Sequence, residues 1–378
     1  MDCCHGWTIY WLESEIDKLK KSEHSKQLEE LINSSFVPNK DNLYKISLLP
    51  DGDCPFHDKS DGLCKIQKEI GAEYLSVVCR NYPITGTLNN NVLSKVRSLS
   101  CPAVYDLITS NEHACDVYTY AKEYEPDSIA VYRNYTVKDI NEHPIFKYLN
   151  PLFDFFYGIL SNKKRDIHNS LIIGTLAAQT LSKLESTNPD RIPEGIEALS
   201  KQINTPSLAA SLADIKPNYA VKLGVAQCLL DGTSISERLG TILDALRRKG
   251  DDNTSNVNID LYIKSFERFK KACGKKDYIL NNVIRCLYMC QLMPFADNEY
   301  DIFANYAFFC ASVAFVDFLA AAAAAGADDD KEILERFKTA VCLSAHPLCH
   351  NADRVKMVVD YLKDINFYSA GHLALIVK

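Results

Sequence analysis

Tyr306–Ala327 reads YAFFCASVAFVDFLAAAAAAGA, and the reading of this run decides the fold. It carries one charge, Asp317, near its middle. As a membrane span it would set a carboxylate at mid-bilayer, which costs roughly 2.5–3.5 kcal/mol, and alanine offsets little of that. The flanks are acidic: Asp297, Glu299 and Asp301 precede it and Asp328-Asp329-Asp330 follow, with no Lys/Arg cluster to fix a topology. The expectation is a buried central helix, not a span. The alanine run 320–325 agrees, because alanine is the best helix former.

Helical periods extend outward from that run through 140–378. They cover 143–161, 165–185, 217–230, 234–248, 257–272, 276–292, 300–325, 329–344 and 352–364. Asn188-Pro189, Asp231-Gly232, Lys249–Asp252, Gly274 and Gly326 supply the turns between them. No regular repeat is present, so the region reads as a large all-α domain. Residues 1–125 read differently, as a cysteine-rich α+β module packed on it. There, 11–34 suits a polar amphipathic helix ending before Pro38. The stretches 43–48 and 92–99 alternate as short strands, paired antiparallel around the cysteine loops. Ile66, Ile70, Leu75 and Val78 suggest two short helical pieces joined at Gly71. The fold class is mainly α, with a short antiparallel β element near the N terminus.

The 378 residues allow one large domain or two modest ones. With 47% hydrophobic and 24% charged residues, a disordered chain is excluded. The net charge of −7 offers no basic field for nucleic acid or an anionic membrane. Met1-Asp2-Cys3-Cys4 has no basic n-region and no apolar h-region follows it, so a cytoplasmic protein is expected. In that compartment fourteen cysteines are many, and disulfides are a poor default.

Six of those cysteines form a first set: Cys3, Cys4, Cys54, Cys64, Cys79 and Cys101. Cys54-Pro55 and Cys101-Pro102 are both Cys-Pro steps, as at iron–sulfur ligands. Asp51-Gly52 and Asp61-Gly62 supply tight turns before Cys54 and Cys64. The spacing lacks a CxxC pair, so metal ligation and buried thiols both stay open. The other cysteines read as core. Cys286 and Cys290 share a helix face inside an apolar run, and Cys228, Cys273 and Cys310 behave as small hydrophobes. Cys342, His346, Cys349 and His350 form a denser group, but Pro347 interrupts it.

The run GDCPFHDKSDGLCKIQKEIGAEYLSVVCRNYP (52–83), followed by SLSCP (98–102), resembles the flagellin lysine-N-methylase family, also described as carrying a zinc- or iron-chelating cysteine cluster. CCHGWTIYW (3–11) is similar to that family's N-terminal element, and YILNNVIRCLYMCQLMPF (278–295) and His350-Asn351 to its helical C-terminal half. The resemblance implies methyl transfer from S-adenosylmethionine to lysines of flagellin or another protein with exposed lysines. It also implies an iron–sulfur cluster, of the 4Fe–4S type, with zinc as the alternative. Carried over, the metal ligands are Cys54, Cys64, Cys79 and Cys101 first, then Cys3 and Cys4. Two positions depart: Ile84 stands where the family has arginine after the Tyr-Pro step, and Ala103 where it has an acidic residue. The family also has further cysteines upstream of the Cys-Cys pair.

Lysine methylation needs a neutral amine, and a free lysine has a pKa of about 10.4, so a base or desolvation is required. Asp53, His57, Glu73 and Tyr82 lie among the motif residues as candidates, each with an ordinary structural alternative in a turn, on a solvated face or in the core. Arg80 is a candidate for the cosubstrate carboxylate, or balances the thiolates. No glycine pair forms GxG and no CxxxCxxC run occurs, so S-adenosylmethionine would need the cluster or an unfamiliar pocket. The competing readings are a non-catalytic zinc- or iron-chelating module on a helical scaffold and an electron carrier.

Overall fold

The computed structural model describes residues 4–39, 43–89, 92–119, 121, 131–231, 235–249, 255–349 and 353–378. The chain divides into two compact units, Met1–Cys101 with Tyr118–Asn134, and Pro102–Val117 with Tyr135–Lys378. The segment 102–117 therefore groups with the helices and not with the cysteine-rich part. It does so because its helix buries Val104, Tyr105 and Ile108, and because Asn282 Nδ2 donates to the carbonyls of Ile108 and Asn111.

In the first unit, β1 (Tyr10–Leu12) leads into α1 (Glu13–Lys20), then α2 (Lys26–Ser35), β2 (Phe36–Pro38) and β3 (Leu43–Ile46). The helix expected over 11–34 is thus a strand and two helices. Trp11 is buried and pairs with Tyr44 across the sheet, while Ser25 accepts from Leu28 N and starts α2 afresh. β3 is central in an antiparallel sheet ordered β1-β3-β2. A short ribbon of β4 (His57–Asp58) and β5 (Leu63–Cys64) follows, then α3 (Lys65–Glu69) and α4 (Val77–Asn81). Gly71, at φ +109°, joins α3 to a 3-10 turn at Ala72–Tyr74. β6 (Ile84–Asn89) and β7 (Val92–Arg97) form a hairpin, with β8 (Val131–Tyr135) on the other side of β6. Strands do occupy 43–46 and 92–97, but they do not pair with each other. Each finds a partner closer in sequence, β2 for one and β6 for the other. Trp11, Ile16, Leu19, Leu28, Ile32, Phe56 and Ile66 make the core.

The second unit is helical. It comprises α5 (Pro102–Ile108), α6 (Val137–Glu142), α7 (Leu149–Leu160), α8 (Ile167–Thr187), α9 (Ile192–Gln202), α10 (Pro206–Ala213), α11 (Tyr219–Asp231) and α12 (Glu237–Leu243). After a small ribbon of β9 (Arg247–Lys249) and β10 (Ser255–Val257) come α13 (Ile259–Cys273), α14 (Tyr278–Cys290), α15 (Ile302–Ala325), α16 (Asp330–Cys349), α17 (Asp353–Asp364) and α18 (Ala370–Val377). Every residue from Ile302 to Ala324 is buried, and α8, α11, α13, α16, α17 and α18 surround α15. α15 is long and apolar enough to cross a membrane, but its apolar surface is spent on other helices.

Several expectations fail here. α16 runs through Pro347 to Cys349, where the proline argued for an interruption, and α6 and α18 were not expected. The period at 143–161 splits, because Pro144 opens a 3-10 turn before α7. The period at 234–248 stops at Leu243 and gives way to the ribbon. α9 and α10 lie where no helix was expected, each with proline in its first turn, the one place where its missing N–H costs nothing.

Candidate metal centre

Cys54 is positioned by a turn and a clasp. Gly52, at φ +86°, lets the chain reverse, and a side chain there would meet the His5 ring at 3.2 Å. Gly6 N donates to Gly52 O and Cys54 N to Cys4 O, both at 2.8 Å, around an antiparallel bridge of His5 with Asp53. Cys4 and Cys54 therefore stand opposite each other on two clasped strands.

Asp53 locks the clasp. It is 8% exposed and its carboxylate takes His5 Nδ1 at 2.8 Å, Lys59 Nζ at 3.1 Å and His57 Nδ1 at 3.5 Å. The His5 contact, with help from Lys59 and His57, holds the Asp53 carboxyl down at about 2 against the opposing effect of burial. His57 pairs with Cys64 across the β4–β5 ribbon. Both of its ring nitrogens are buried without a hydrogen bond. Lys68 bridges Asp58 and Asp61 at 2.7 and 2.6 Å and fixes the turn between Cys54 and Cys64.

Cys54, Cys64 and Cys79 all pack on the apolar cluster around Phe56 and Ile66. Burial, together with the Cys64 and Asp53 charges, pushes the Cys54 thiol up to about 11. Cys79 sits on α4, where Ser76 caps the helix and accepts from Cys79 N. Three residues on, Tyr82 meets the Trp7 ring edge-on at 6.0 Å, and its hydroxyl lies 3.1 Å from Ser100 Oγ. Cys101 follows Ser100, and its N–H donates to Ser98 O. The Trp7–Tyr82–Ser100 contacts thus tie the chain segments that carry Cys4, Cys79 and Cys101.

Cys3 lies outside the described residues. Glu73 is exposed on the 3-10 turn before α4, and Arg80 is exposed on α4 itself. Ile84 opens β6 opposite Arg97, and Ala103 is exposed in the first turn of α5. His5, Lys59 and Ser100 were missed by sequence reasoning. The two glycines that clasp, Gly6 and Gly52, were the available signal. No disulfide occurs among the described residues, nor does any closed set of three His, Cys, Asp or Glu side chains around a point. The donor chemistry nevertheless fits a soft metal or an iron–sulfur cluster: thiols on one apolar cluster, with a buried imidazole beside them that makes no hydrogen bond. In the helical unit Cys286 and Cys290 are buried on α14 with sulfurs 4.0 Å apart, and Cys342 is buried on α16. The His346 side chain and His350 fall outside the described residues.

Residues 153–376 match the family model described as FliB lysine N-methylase C-terminal domain. The lysine-N-methylase of Salmonella typhimurium LT2 is 25% identical over 237 residues, 61% of this chain and 55% of that protein. The lysine-N-methylase of Salmonella choleraesuis matches to the same extent. The flagellar biosynthetic protein FliU of Salmonella muenchen is 30% identical over 115 residues, 30% of this chain and 68% of that protein. The chain spans about half the length of the two lysine-N-methylases it matches. No solved structure matches.

Proposed function

From the premise that this chain belongs to the FliB lysine N-methylase family, we propose that it is a cytoplasmic protein-lysine N-methyltransferase acting on flagellin or a similar protein with exposed lysines. S-adenosylmethionine is the proposed methyl donor. Cys54, Cys64, Cys79 and Cys101, with Cys3 and Cys4 as the reserve, are the proposed ligands of a 4Fe–4S cluster. The observation that carries the site is the clasp that sets Cys4 against Cys54, with Cys64 and Cys79 on the same apolar cluster.

Held by three of these thiolates, such a cluster would leave one iron for the amino and carboxylate groups of S-adenosylmethionine; held by all four, it would leave none. The protein's own groups have a separate task, removing a proton from the lysine ammonium before methyl transfer. Of Asp53, His57, Glu73 and Tyr82, His57 suits it best. Its Nδ1 lies 3.5 Å from Asp53, and neither ring nitrogen is engaged in a hydrogen bond. Asp53, held ionised, would orient the imidazole and stabilise it once protonated. Tyr82 is occupied with Ser100 and Trp7, and Glu73 is exposed, so both are assigned structural roles.

The test is anaerobic purification followed by assay of iron, zinc and acid-labile sulfide, repeated with Cys54→Ser and Cys64→Ser. Zinc without sulfide would sink the cluster. Incubation with S-adenosylmethionine and flagellin should add mass to lysine. A loaded protein that never methylates would instead be the non-catalytic chelating module.

A further inference from the structure

β7 ends its sheet: the strand order is β7-β6-β8, and among the described residues no strand lies beyond β7. In an antiparallel ladder, successive residues turn their N–H and C=O to opposite sides, so every second residue of β7 points both groups away from β6. Val92 is 46% exposed, and Ser94, Lys95 and Arg97 are exposed with it. An open edge of this kind is a template for one more strand.

The charge along this edge has one sign. Between 74 and 105 the chain holds Arg80, Lys95 and Arg97 and not one Asp or Glu, although the whole protein carries −7. Lys95 and Arg97 are two apart on β7 and so share a face, with Leu93 next in the row. Their cross-strand neighbours on β6 are Gly86 and Ile84, which bring no carboxylate. Two copies of the protein meeting along β7 would crowd these cations together on one face, which disfavours a second copy as the occupant. A strand with acidic residues at two alternate positions would instead set a carboxylate opposite each cation.

The same strand leads to the candidate metal centre. Ser98 N donates to Pro83 O at 2.8 Å and closes the foot of the β6–β7 hairpin. Tyr82 and Ser100 meet at that foot, and Cys101 follows directly.

We infer that β7 takes up an extended acidic segment of the protein substrate as an added strand, with two alternate acidic side chains opposite Lys95 and Arg97. The backbone edge dictates an extended peptide, and the cations dictate its charge. The inference rests on the methyltransferase reading for the parent of that segment, but the binding itself needs no methyl transfer.

The probe is a short fluorescein-labelled peptide of valine and threonine with aspartates at two alternate positions, titrated with the full chain and followed by anisotropy. It should bind saturably, one per chain, and the same peptide with lysines for aspartates should bind at least about tenfold more weakly. Two N-methylated versions separate strand addition from charge attraction alone. Methyl groups on alternate backbone nitrogens in one phase block the peptide edge that faces β7 and should abolish binding. In the other phase they face away and should be tolerated. Lys95→Glu with Arg97→Glu should invert the preference toward the lysine peptide, and Lys95→Glu alone should weaken the aspartate peptide if the double variant fails to fold. Absence of saturable binding, equal losses in both N-methyl phases, or an unchanged preference in the charge-swapped protein would overturn the inference. So would a dimer in sedimentation that these variants dissolve, because the edge would then belong to a second copy. Phase-selective peptide binding by a protein that methylates no lysine would support the edge as a peptide site and count against the methyltransferase reading alone. Methylation without peptide binding would do the reverse.

Discussion

Lys222 Nζ lies 2.7 Å from Asp317 Oδ2, with both side chains essentially sealed from water in the middle of the helical unit. His168 Nε2 reaches the same carboxylate at 3.0 Å. This is how α15 carries a charge at its centre: Lys222 and His168 outweigh the burial that would otherwise protonate Asp317. Asp317→Ala leaves Lys222 buried without its carboxylate and should cost about 3–5 kcal/mol, read by urea unfolding. The double change Asp317→Leu with Lys222→Met should recover most of that loss, because well-packed hydrophobes replace buried ion pairs at little cost. A single variant within about 1 kcal/mol of the parent would refute the pairing as a stability determinant.

The same cluster sets a pH dependence. Burial would lower the His168 imidazole, but the Asp317 and Asp166 contacts outweigh it and raise it from 6.5 to about 9. A base whose pKa rises on folding stabilises fully below its unfolded value and loses that stability as pH climbs through the folded one. Stability of the helical unit should therefore fall between about pH 6.5 and 9. His168→Gln should flatten that slope, as followed by thermal unfolding at stepped pH.

Glu185 gives a second window. Burial pushes its carboxyl up from 4.5 to about 7, aided by Asp301 and opposed by the hydrogen bond it accepts from Ile302 N. This acid binds its proton more tightly in the folded state, so stability falls as pH rises from about 4.5 to 7. Glu185→Gln keeps an acceptor for Ile302 N and removes the charge. It should stabilise the protein at pH 8 by about 1–3 kcal/mol and leave stability at pH 4 nearly unchanged. Equal effects at both pH values would contradict the assignment.

Asn366, at φ +54°, closes α17 by donating its N–H to Lys363 O while Phe367 N donates to Leu362 O. Asn366 is exposed, so its backbone conformation decides what it tolerates. Asn366→Gly should be neutral or slightly stabilising, and Asn366→Val should cost about 1–2 kcal/mol. Chemical denaturation of the two variants side by side checks the ordering.

What the sequence made legible follows from the range of the interactions. α15 was readable because its apolar run and lone Asp317 are local features. The partners of Asp317 were not, since His168 is 149 positions away and no pattern marks it. α9 and α10 were hidden by their own prolines, which signal a turn and a helix start alike. At the candidate site the cysteines stood out through Asp-Gly turns and Cys-Pro steps, and those turns are local. The clasp between His5 and Asp53 spans 48 positions and left only Gly6 and Gly52 as traces.

That clasp yields the sharpest test of how the cysteines are assembled. Asp53 is not a thiol and is not proposed as a ligand, yet it collects His5, His57 and Lys59 and so presses the arm bearing Cys4 against Cys54. Asp53→Asn keeps the shape and removes the charge that three cationic or imidazole groups share. The Cys54 N–H, now donating to Cys4 O, should then exchange with deuterium at least about tenfold faster, since its protection depends on the arm staying docked. Peptides from Ile66 to Ile70 should keep their rates, because Ile66 and Ile70 are held by the apolar cluster, whereas Asp53 holds His5, His57 and Lys59. If the arm matters to the proposed cluster, the same variant should also lose iron and sulfide in proportion to the faster exchange. Faster exchange with full metal content would show that Cys3 and Cys4 are not among the ligands, leaving Cys54, Cys64, Cys79 and Cys101 as the set to pursue.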